Sequence, residues 1–481
     1  MQVDDTISRI SDILKNVKNV RNSLQPISKL PPETLALVAE FLEPKRQLVN
    51  ATAVCQHWRA TLLSFPRLWS TIRCSNRMQF EAYLERSKST PLDVRFHNIY
   101  PHLLESLLPH TSRLATLTVQ VSNSSDFGRI AQHLRCPIPR LRKFSILASR
   151  RADAMEFPSS TPNNCFVHVK ELELQDISSL RAPHAFPHVT KLTWHVGPEY
   201  GAPVELPGLL DTLEQLPVLE EVGLVFRESR DTTTNTSLHV ATLLQVQRMS
   251  LHCSKDQKKG IPRILQFLKL PKLTSLLVRT EPKFASPFPV LPITSFGEHL
   301  PNLAELSVMK VRAYAERSLV YFRSPSGAVL NYWVTAQPLG ATTYRLQRRL
   351  WGGLPLHSVR RLTVVLHCRE VVDEVWLVRL LSDLSSLEHL DLEGYCGFAL
   401  RCLRRLIMQR DILIGIKTLA VRSGAYEIRQ TMRLKEVAAG LGLEITVACI
   451  HDPGVAVIDE WPSDGESEDW DLKEEDGSEE Q

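Results

Sequence analysis

Hydrophobic and polar residues at the start of the chain alternate with the period of an α-helix. Over residues 1–24 the apolar residues that share one helical stripe are Ile7, Ile10, Leu14, Val17 and Leu24. The stripe predicts a short amphipathic helix within residues 1–26. We expect this helix to pack against the neighbouring segment, because the pattern is too short to identify a coiled coil.

Two further helices are expected within residues 27–73. Pro31 and Pro32 suit the first turn of a helix, and Pro44 should end it. The apolar side of this helix comprises Leu35, Val38, Phe41 and Leu42. A second helix should place on one stripe Ala51, Cys55, Trp58 and Leu62. A module of this size buries little apolar surface, so it usually completes its core on a neighbour or a partner.

Beyond Arg73 a short apolar pattern recurs, in which two leucine-like residues three positions apart are followed by a third two positions later. Its occurrences are Leu114-Leu117-Val119, Leu141-Phe144-Ile146, Val169-Leu172-Leu174, Val189-Leu192-Trp194, Leu219-Val222-Leu224, Val246-Met249-Leu251, Leu273-Leu276-Val278, Leu303-Leu306-Val308, Val359-Leu362-Val364, Leu387-Leu390-Leu392 and Ile416-Leu419-Val421. Most neighbouring middle positions lie 27 to 30 residues apart, near the upper end of leucine-rich repeat periods of about 20 to 29 residues. The wider gap between Leu306 and Leu362 accommodates one degenerate repeat and an irregular insertion near residues 312–353.

These repeats predict the α/β fold class. Each unit leaves an apolar edge uncovered, and stacking of parallel strands joins these edges into one continuous core. We therefore expect an N-terminal all-α module followed by an irregular leucine-rich repeat solenoid over residues 74–450, with a parallel sheet on its concave face. The asparagine that usually follows the strand in such repeats is absent, which favours an irregular arc.

The helical module resembles an F-box across about a tenth of the chain. The residues that carry the resemblance are Leu30-Pro31-Pro32-Glu33, Leu35, Phe41-Leu42, Val54-Cys55-Gln56-His57-Trp58-Arg59, Pro66 and Leu68-Trp69. Together with the repeats, they make the chain similar to the F-box/leucine-rich repeat family, whose members are substrate receptors of SCF ubiquitin ligases. The chain departs from the family pattern at residues 44–47, where many F-boxes carry an acidic residue and a leucine, and the geometry of this turn is left open.

The resemblance implies an adaptor partner for this module. F-boxes bind a Skp-type adaptor, which joins them to a cullin and thereby to the ubiquitin-conjugating machinery. The residues that it implies in adaptor binding are Leu30, Pro31, Leu35, Val38, Phe41, Leu42, Val54 and Trp58, while Trp58 and Trp69 chiefly fix the helices. The alternative is that these residues form only the core of a helical cap over the repeats.

The repeats also predict which side chains face the concave side of the sheet. On five successive strands the residue before the middle apolar position is Lys143, Glu171, Lys191, Glu221 and Arg248, so opposite charges alternate. Strands lie about 4.8 Å apart, which allows such side chains to pair. The alternation argues against a nucleic-acid groove, which requires unopposed cations. The candidate residues for binding a protein substrate are Lys143, Lys191, Arg248, Arg360 and Arg361.

Charge is distributed unevenly along the chain. Residues 464–481 hold ten acidic residues and one lysine, a formal charge of −9 that leaves +13 for the rest of a chain whose total is +4. This composition predicts an acidic, disordered tail over residues 451–481, which solubilises the chain, folds back weakly on the basic body or engages a partner. The start of the chain lacks a signal-peptide pattern and no apolar run is long enough to cross a bilayer, so we expect a cytoplasmic or nuclear protein.

Motifs for catalysis or metal binding are not found in the sequence. The nine cysteines lack zinc-site or disulfide spacing, and phosphate-binding, metalloprotease and nucleophile-elbow motifs are absent. His184 and His188 have a metal-compatible spacing, but Pro187 interrupts any helix between them. The resemblance therefore implies a substrate-recognition subunit, and the absence of these motifs predicts no enzymatic activity or cofactor; we also expect no binding of nucleic acid or membrane. A repeat scaffold that binds the adaptor outside ubiquitin transfer is the alternative.

Overall fold

The computed structural model describes most of the chain in segments. These are residues 2–42, 46–73, 76–97, 100–121, 130, 138–148, 155–157, 166–175, 177–180, 183–196, 206–226, 239–253, 264–280, 296–314, 317–335, 354–367, 374–394, 396–409, 415–422, 425–440 and 446–450. The acidic tail and part of the turn at residues 44–47 therefore lie outside the described residues.

Helices dominate the N-terminal part and recur between the strands that follow. They are α1 (Gln2–Ser23), α2 (Pro32–Glu40), α3 (Arg46–Ala51), α4 (Gln56–Ser64), α5 (Arg77–Arg86), α6 (Pro101–Leu107), α7 (Leu206–Glu214), α8 (Phe296–His299), α9 (Glu374–Asp383), α10 (Gly397–Gln409) and α11 (Ala425–Gly440). Helix α2 begins at Pro32, and Glu33 lies in its first turn. Proline lacks the amide hydrogen that a first turn leaves unbonded, and a carboxylate there favours the positive end of the helix dipole.

Helix α1 does not pack against its neighbour, contrary to the expectation from its apolar stripe. Apolar side chains along the whole helix are exposed: Val3, Ile7, Ile10, Ile13, Leu14, Val17 and Val20. Asp4 and Asp5 lie in its first turn and Arg21 in its last, an arrangement that the helix dipole favours. The charges at the two ends support this helix locally, since no core covers its apolar side chains.

The second helix expected within residues 27–73 is divided into two. Helix α3 ends at Ala51, and Cys55 is the N-cap of α4 with an extended backbone. The Sγ atom of Cys55 accepts a hydrogen bond from the backbone N–H of Trp58 at 3.5 Å. Because a capping side chain satisfies an amide that has no partner within the helix, Cys55 starts α4. The prediction of one continuous stripe from Ala51 to Leu62 is therefore wrong.

Most strands belong to a single large sheet. The strands are β1 (Thr71–Ile72), β2 (Leu92–Phe96), β3 (Leu114–Val121), β4 (Lys143–Ala148), β5 (Met155–Phe157), β6 (Glu171–Gln175), β7 (Ile177–Leu180), β8 (Lys191–Val196), β9 (Glu221–Phe226), β10 (Ala241–Thr242), β11 (Arg248–Cys253), β12 (Leu268–Lys269), β13 (Ser275–Thr280), β14 (Val308–Ala313), β15 (Arg317–Arg323), β16 (Val329–Thr335), β17 (Arg361–Leu366), β18 (His389–Gly394), β19 (Thr418–Arg422) and β20 (Thr446–Ile450). Sixteen of them form one sheet in the order β1-β2-β3-β4-β6-β8-β9-β11-β13-β16-β15-β14-β17-β18-β19-β20. Strands β5 and β7, and β10 and β12, form separate pairs. The predicted α/β class, with N-terminal helices before a largely parallel sheet, is confirmed.

One face of this sheet and the intervening helices share a continuous apolar core. Trp194 and Leu276, at inward positions of β8 and β13, are fully buried, as are Leu210 of α7 and Trp376 of α9. The opposite face, which we call the open face, carries the alternating polar residues of the strands. Inward and outward residues alternate because successive side chains of a strand point to opposite sides.

The strands pair in the register that the repeated pattern predicts. Lys143 lies opposite Glu171, and Glu221 lies opposite Arg248, each pair joining neighbouring parallel strands. The same register continues along the sheet to Ser275 of β13. Equivalent residues of successive repeats thus form straight rows across the sheet.

One repeat is placed three residues later than the sequence pattern indicates. Met309, and not Leu306, lies opposite Leu362 of β17. Residues 303–311 contain the apolar pattern twice, offset by three positions, so the pattern fits either reading. Pairing of β14 with its neighbours selects the second copy.

An antiparallel meander replaces much of the irregular insertion expected near residues 312–353. Strand β15 pairs antiparallel with both β14 and β16, and β16 pairs parallel with β13. Gly327, with φ of +89°, lies in the turn between β15 and β16, where its N–H donates to the carbonyl oxygen of Ser324 at 3.0 Å. The chain therefore advances to β14 and returns towards β13, while residues 336–353 lie outside the described part.

Gly394 gives a stability prediction, because its backbone requires glycine. Its φ is +85°, and an added Cβ would overlap the carbonyl oxygen of Leu366. We expect Gly394→Ala to destabilise the sheet by about 2 kcal/mol or more, from backbone strain together with the steric overlap. The matched control is Gly208→Ala in α7, where an added Cβ meets nothing within 4 Å, and which should be neutral or stabilising. Urea denaturation of both variants measures the difference, and equal midpoints would contradict the prediction.

Candidate adaptor-docking surface and open face

The helical module exposes several large apolar side chains. They are Ile27, Leu37, Val38, Phe41, Val49 and Val54. Phe41, the residue that follows α2, is 86% exposed and Leu37 is 57% exposed. Phe41 shares one side of this helical segment with Leu37 and Val38, because residues three and four positions apart lie close together on a helix. An apolar group of this kind is typical of a surface that a partner covers.

The other side of α2 faces the core of the module. Leu35 is 1% exposed, and Ala36 and Ala39 are also buried. Ala36 and Ala39 belong to the same apolar core as Leu62 of α4. Small residues at these positions allow the two short helices to approach closely, and this packing turns Leu37 and Phe41 outwards.

The structure separates the eight residues named from the sequence for adaptor binding. Pro31, Val38, Phe41 and Val54 are exposed, whereas the side chains with partial burial are Leu30, Leu42 and Trp58. Leu42 and Trp58 pack against the core. Leu35 is wholly enclosed within this chain and cannot be offered to a partner. Sequence reasoning missed Leu37 of α2 and Val49 of α3, since neither residue lies on the two apolar stripes that it assigned to this module.

Trp69 joins the module to the first units of the sheet. Its side chain is fully buried, and its Nε1–H donates to the carbonyl oxygen of Leu62 at 2.9 Å. The ring meets Tyr83 of α5 edge to face, with centroids 5.1 Å apart, and the Arg86 guanidinium lies over it at 4.6 Å. Strand β1 follows directly and pairs with β2. This indole therefore contacts both α4 and α5 next to the first strand of the sheet.

Charged residues on the open face pair between neighbouring strands. The Nζ atom of Lys191 lies 3.5 Å from one carboxylate oxygen of Glu221, and the other oxygen contacts Arg248. Lys143 reaches Glu173 at 3.8 Å rather than the expected Glu171. The alternation seen in the sequence thus becomes a set of local ion pairs, each of which contributes little to stability at such exposure.

The two remaining candidate cations also have acidic neighbours. Arg361 lies 3.8 Å from Asp391 on the adjacent strand. Arg360 lies near Glu388, whose carboxylate accepts a hydrogen bond from Lys417 at 3.0 Å. This hydrogen bond and the charge of Lys417 lower the pKa of the Glu388 carboxyl, with a smaller contribution from Arg360. Cations with acidic neighbours are better suited to bind a protein surface that carries both charges than to bind a polyanion, which requires unopposed cations.

No metal or membrane element is found in the described part of the chain. No group of three or more His, Cys, Asp or Glu residues there has an arrangement that could hold a metal ion. His184 and His188, the pair with metal-compatible spacing in the sequence, are exposed. None of the helices in the described segments combines the length and apolar character that crossing a membrane requires.

Comparison with known proteins identifies the module. The F-box-like family model matches residues 27–75, so these residues carry an F-box-like domain. No curated protein sequence matches the chain. Among solved structures, a chain in the crystal structure of the Rad7 and Elc1 complex in yeast is similar at 13% identity and a TM-score of 0.29, over 88% of this chain and 93% of that one. A likeness at this TM-score supports no inference about fold or partners.

Proposed function

We propose that this chain is the substrate-recognition subunit of an SCF-type E3 ubiquitin ligase. Its F-box-like domain would bind a Skp-type adaptor and, through it, a cullin, while the repeats, which we assign to the leucine-rich repeat type, would bind a protein substrate. The chain itself would carry no catalytic residues and no cofactor. It would act in the cytoplasm or nucleus, without binding nucleic acid or membrane.

The observation that carries the proposal is the exposure of Phe41 within the matched domain. Burial of a phenylalanine side chain is favourable, and Phe41, which is 86% exposed in this chain, would gain this free energy only when another surface covers it. The adjoining residues Leu37 and Val38 are exposed as well, and Leu35 and Trp69 are buried within the same domain. A helical cap that served only the repeats would turn its large apolar residues inwards, so this pattern favours a partner.

Substrate binding through the open face is supported by the arrangement of its side chains. Lys143, Lys191 and Arg248 present paired charges in rows across the sheet, Arg361 continues their row beyond the meander, and Arg360 directly precedes it. Mixed charges at fixed spacing favour specific protein partners over non-specific association. We therefore keep these five residues as the candidate contacts of a protein substrate.

Reconstitution with purified proteins tests the proposal. The full chain is mixed with a Skp-type adaptor alone and with the adaptor plus a cullin, and the products are separated by size-exclusion chromatography. We expect a stable binary complex and a stable ternary complex. A binary complex that never recruits the cullin would favour the scaffold that acts outside ubiquitin transfer. Failure to bind the adaptor at all would refute the proposal.

A further inference from the structure

The middle of the open face has a composition unlike the rest of it. The side chains on which the inference depends, which we call the central patch, are Arg279, Lys310, Arg312, Arg323, Leu319 and Trp333, contributed by β13, β14, β15 and β16. They alternate with buried residues such as Val311 and Phe322, which places them on the open face. Among the described open-face positions of these four strands there is no aspartate or glutamate. The central patch is therefore basic, whereas the row from Lys143 to Arg248, which we call the ladder, alternates in charge.

The central patch has an apolar centre between two cations. In one row across the sheet, Arg279 lies opposite Trp333, Trp333 opposite Leu319, and Leu319 opposite Arg312. The Arg279 guanidinium lies over the Trp333 ring at 5.7 Å. Three strand spacings separate the two arginines, a distance of about 14 Å. The row fits a ligand with apolar groups flanked by negative charges.

The acidic tail has the complementary pattern. Trp470 and Leu472 are the large apolar residues of residues 464–481, and Asp469, Asp471 and Glu474 lie around them. Asp469 and Glu474 are five residues apart, which corresponds to about 17 Å in an extended chain. This length is close to the separation of the cations in the central patch, and the tail's formal charge of −9 opposes the patch's basic character.

The connection from the end of the described chain to the tail is long enough to reach the central patch. Ile450, the last residue of β20, continues the same row, because it lies opposite Arg422, which lies opposite Glu393 and then Val365 and Arg312. Seven strand spacings from β20 to β13 amount to about 34 Å. The 14 residue steps from Ile450 to Asp464 span up to about 46 Å when extended. The connection is therefore long enough for the tail to lie anywhere on the patch.

We propose that residues 464–481 dock on the central patch, with Trp470 and Leu472 against its apolar centre and the flanking carboxylates at its arginines. Carboxylates form strong charge-assisted hydrogen bonds with guanidinium groups, and tryptophan stacks on arginine. Covalent attachment gives the tail a high effective concentration at the patch, so a weak contact suffices to occupy it. This inference does not depend on the proposed adaptor binding.

A labelled peptide tests the proposal in the full chain. The probe is a fluorescent peptide with the sequence of residues 464–481, titrated at low salt by fluorescence anisotropy against the wild type and a tail variant whose ten acidic residues are changed to Asn or Gln. The peptide should bind the tail variant at least tenfold more tightly than the wild type, because the wild-type tail already occupies the patch. Raised salt should weaken this binding by screening. Equal affinity of the two chains would overturn the proposal.

Matched charge removals locate the peptide on the face. In the tail variant, Arg279→Gln with Arg312→Gln should weaken peptide binding at least tenfold, whereas Lys143→Gln with Lys191→Gln removes the same charge from the ladder and should leave it unchanged. Equal losses in the two pairs would indicate non-specific attraction and overturn the proposal. Tighter binding of a single-stranded DNA oligonucleotide than of the peptide would assign the patch to nucleic acid instead, and would also overturn it.

Cross-linking of the unaltered chain provides a readout that does not depend on variants. A carbodiimide joins amines to nearby carboxylates, and Lys310 is the amine within the central patch. We expect peptides that join Lys310 to residues 464–481 in the monomer fraction, as identified by mass spectrometry. Tail cross-links to Lys143 or Lys191 without any to Lys310, or no tail cross-links, would overturn the proposal. The tail variant should bind the adaptor with the same affinity as the wild type. Failure of tail docking can therefore be distinguished from failure of the proposed function.

Discussion

Phe41→Asp is expected to weaken adaptor binding by about 30- to 1,000-fold while the chain stays folded. An aromatic anchor at the centre of an interface typically contributes about 2 to 4 kcal/mol when removed, and a buried aspartate adds a desolvation cost. The fold should tolerate the change, because the Phe41 side chain is 86% exposed. Isothermal titration calorimetry of the full chain with a Skp-type adaptor measures the loss, and circular dichroism monitors folding.

Two further substitutions separate contact from folding in this experiment. Leu244→Asp, at another exposed leucine but in the repeat region, should leave both adaptor affinity and stability unchanged. Leu35→Asp should reduce both, because it places a carboxylate in the enclosed core of the module. Unaltered adaptor binding by Phe41→Asp would refute the assignment of this surface. Lost binding together with lost secondary structure would refute the claim that Phe41 acts through contact alone.

Trp69→Ala is expected to produce the largest loss of stability in the N-terminal part. Truncation of a fully buried tryptophan typically costs about 3 to 5 kcal/mol. Here it also leaves the Leu62 carbonyl oxygen without its donor and removes the contacts with Tyr83 and Arg86. Hydrogen exchange of the full chain, measured over α4 and α5, should show faster exchange, and adaptor affinity should fall because α2 packs on α4.

Trp69→Phe is the matched control for this prediction. It retains an aromatic ring in the site but loses the indole N–H, so we expect a smaller cost of about 1 to 3 kcal/mol. Protection of α4 should then lie between those of the wild type and Trp69→Ala. Unchanged exchange in Trp69→Ala would contradict the anchoring role of this residue.

The register of the sheet is the feature that the sequence predicts best. Each repeat places a buried residue between two outward residues, and a shift by one position would turn Phe144 or Leu172 outwards. The register that places Lys143 opposite Glu171 therefore follows from the apolar pattern, although the Lys143 side chain pairs with Glu173. The pattern fails at β14, because Leu306 and Met309 both satisfy it and only contacts distant in sequence decide between them. It also missed β2, although Leu92, Val94 and Phe96 alternate with polar residues as a half-buried strand requires.

The candidate docking surface is less predictable from the sequence than the sheet. The apolar residues of α2 lie all round the helix, so the sequence does not reveal whether Leu35 or Leu37 faces inwards. In the structure Leu35 is the buried leucine, and the small residues Ala36 and Ala39 share a core with Leu62 of α4. The division at Cys55 was equally hidden, because Ala51 and Leu62 retain a helical spacing across the break. In so small a module, the apolar pattern alone cannot distinguish the buried side of a helix from its exposed side.

The meander of β14, β15 and β16 has a consequence for how the chain is assembled. Residues paired within the meander are close in sequence, Ala313 with Ser318 for example, so it can form from local contacts. Strand β13, by contrast, gains its second neighbour only when β16 arrives, which pairs Ser275 with Val329. During synthesis the growing stack thus ends in an open edge for about fifty residues, and an open edge invites pairing with other chains. Docking of the meander covers this edge of β13 in one step and moves the open edge to β14.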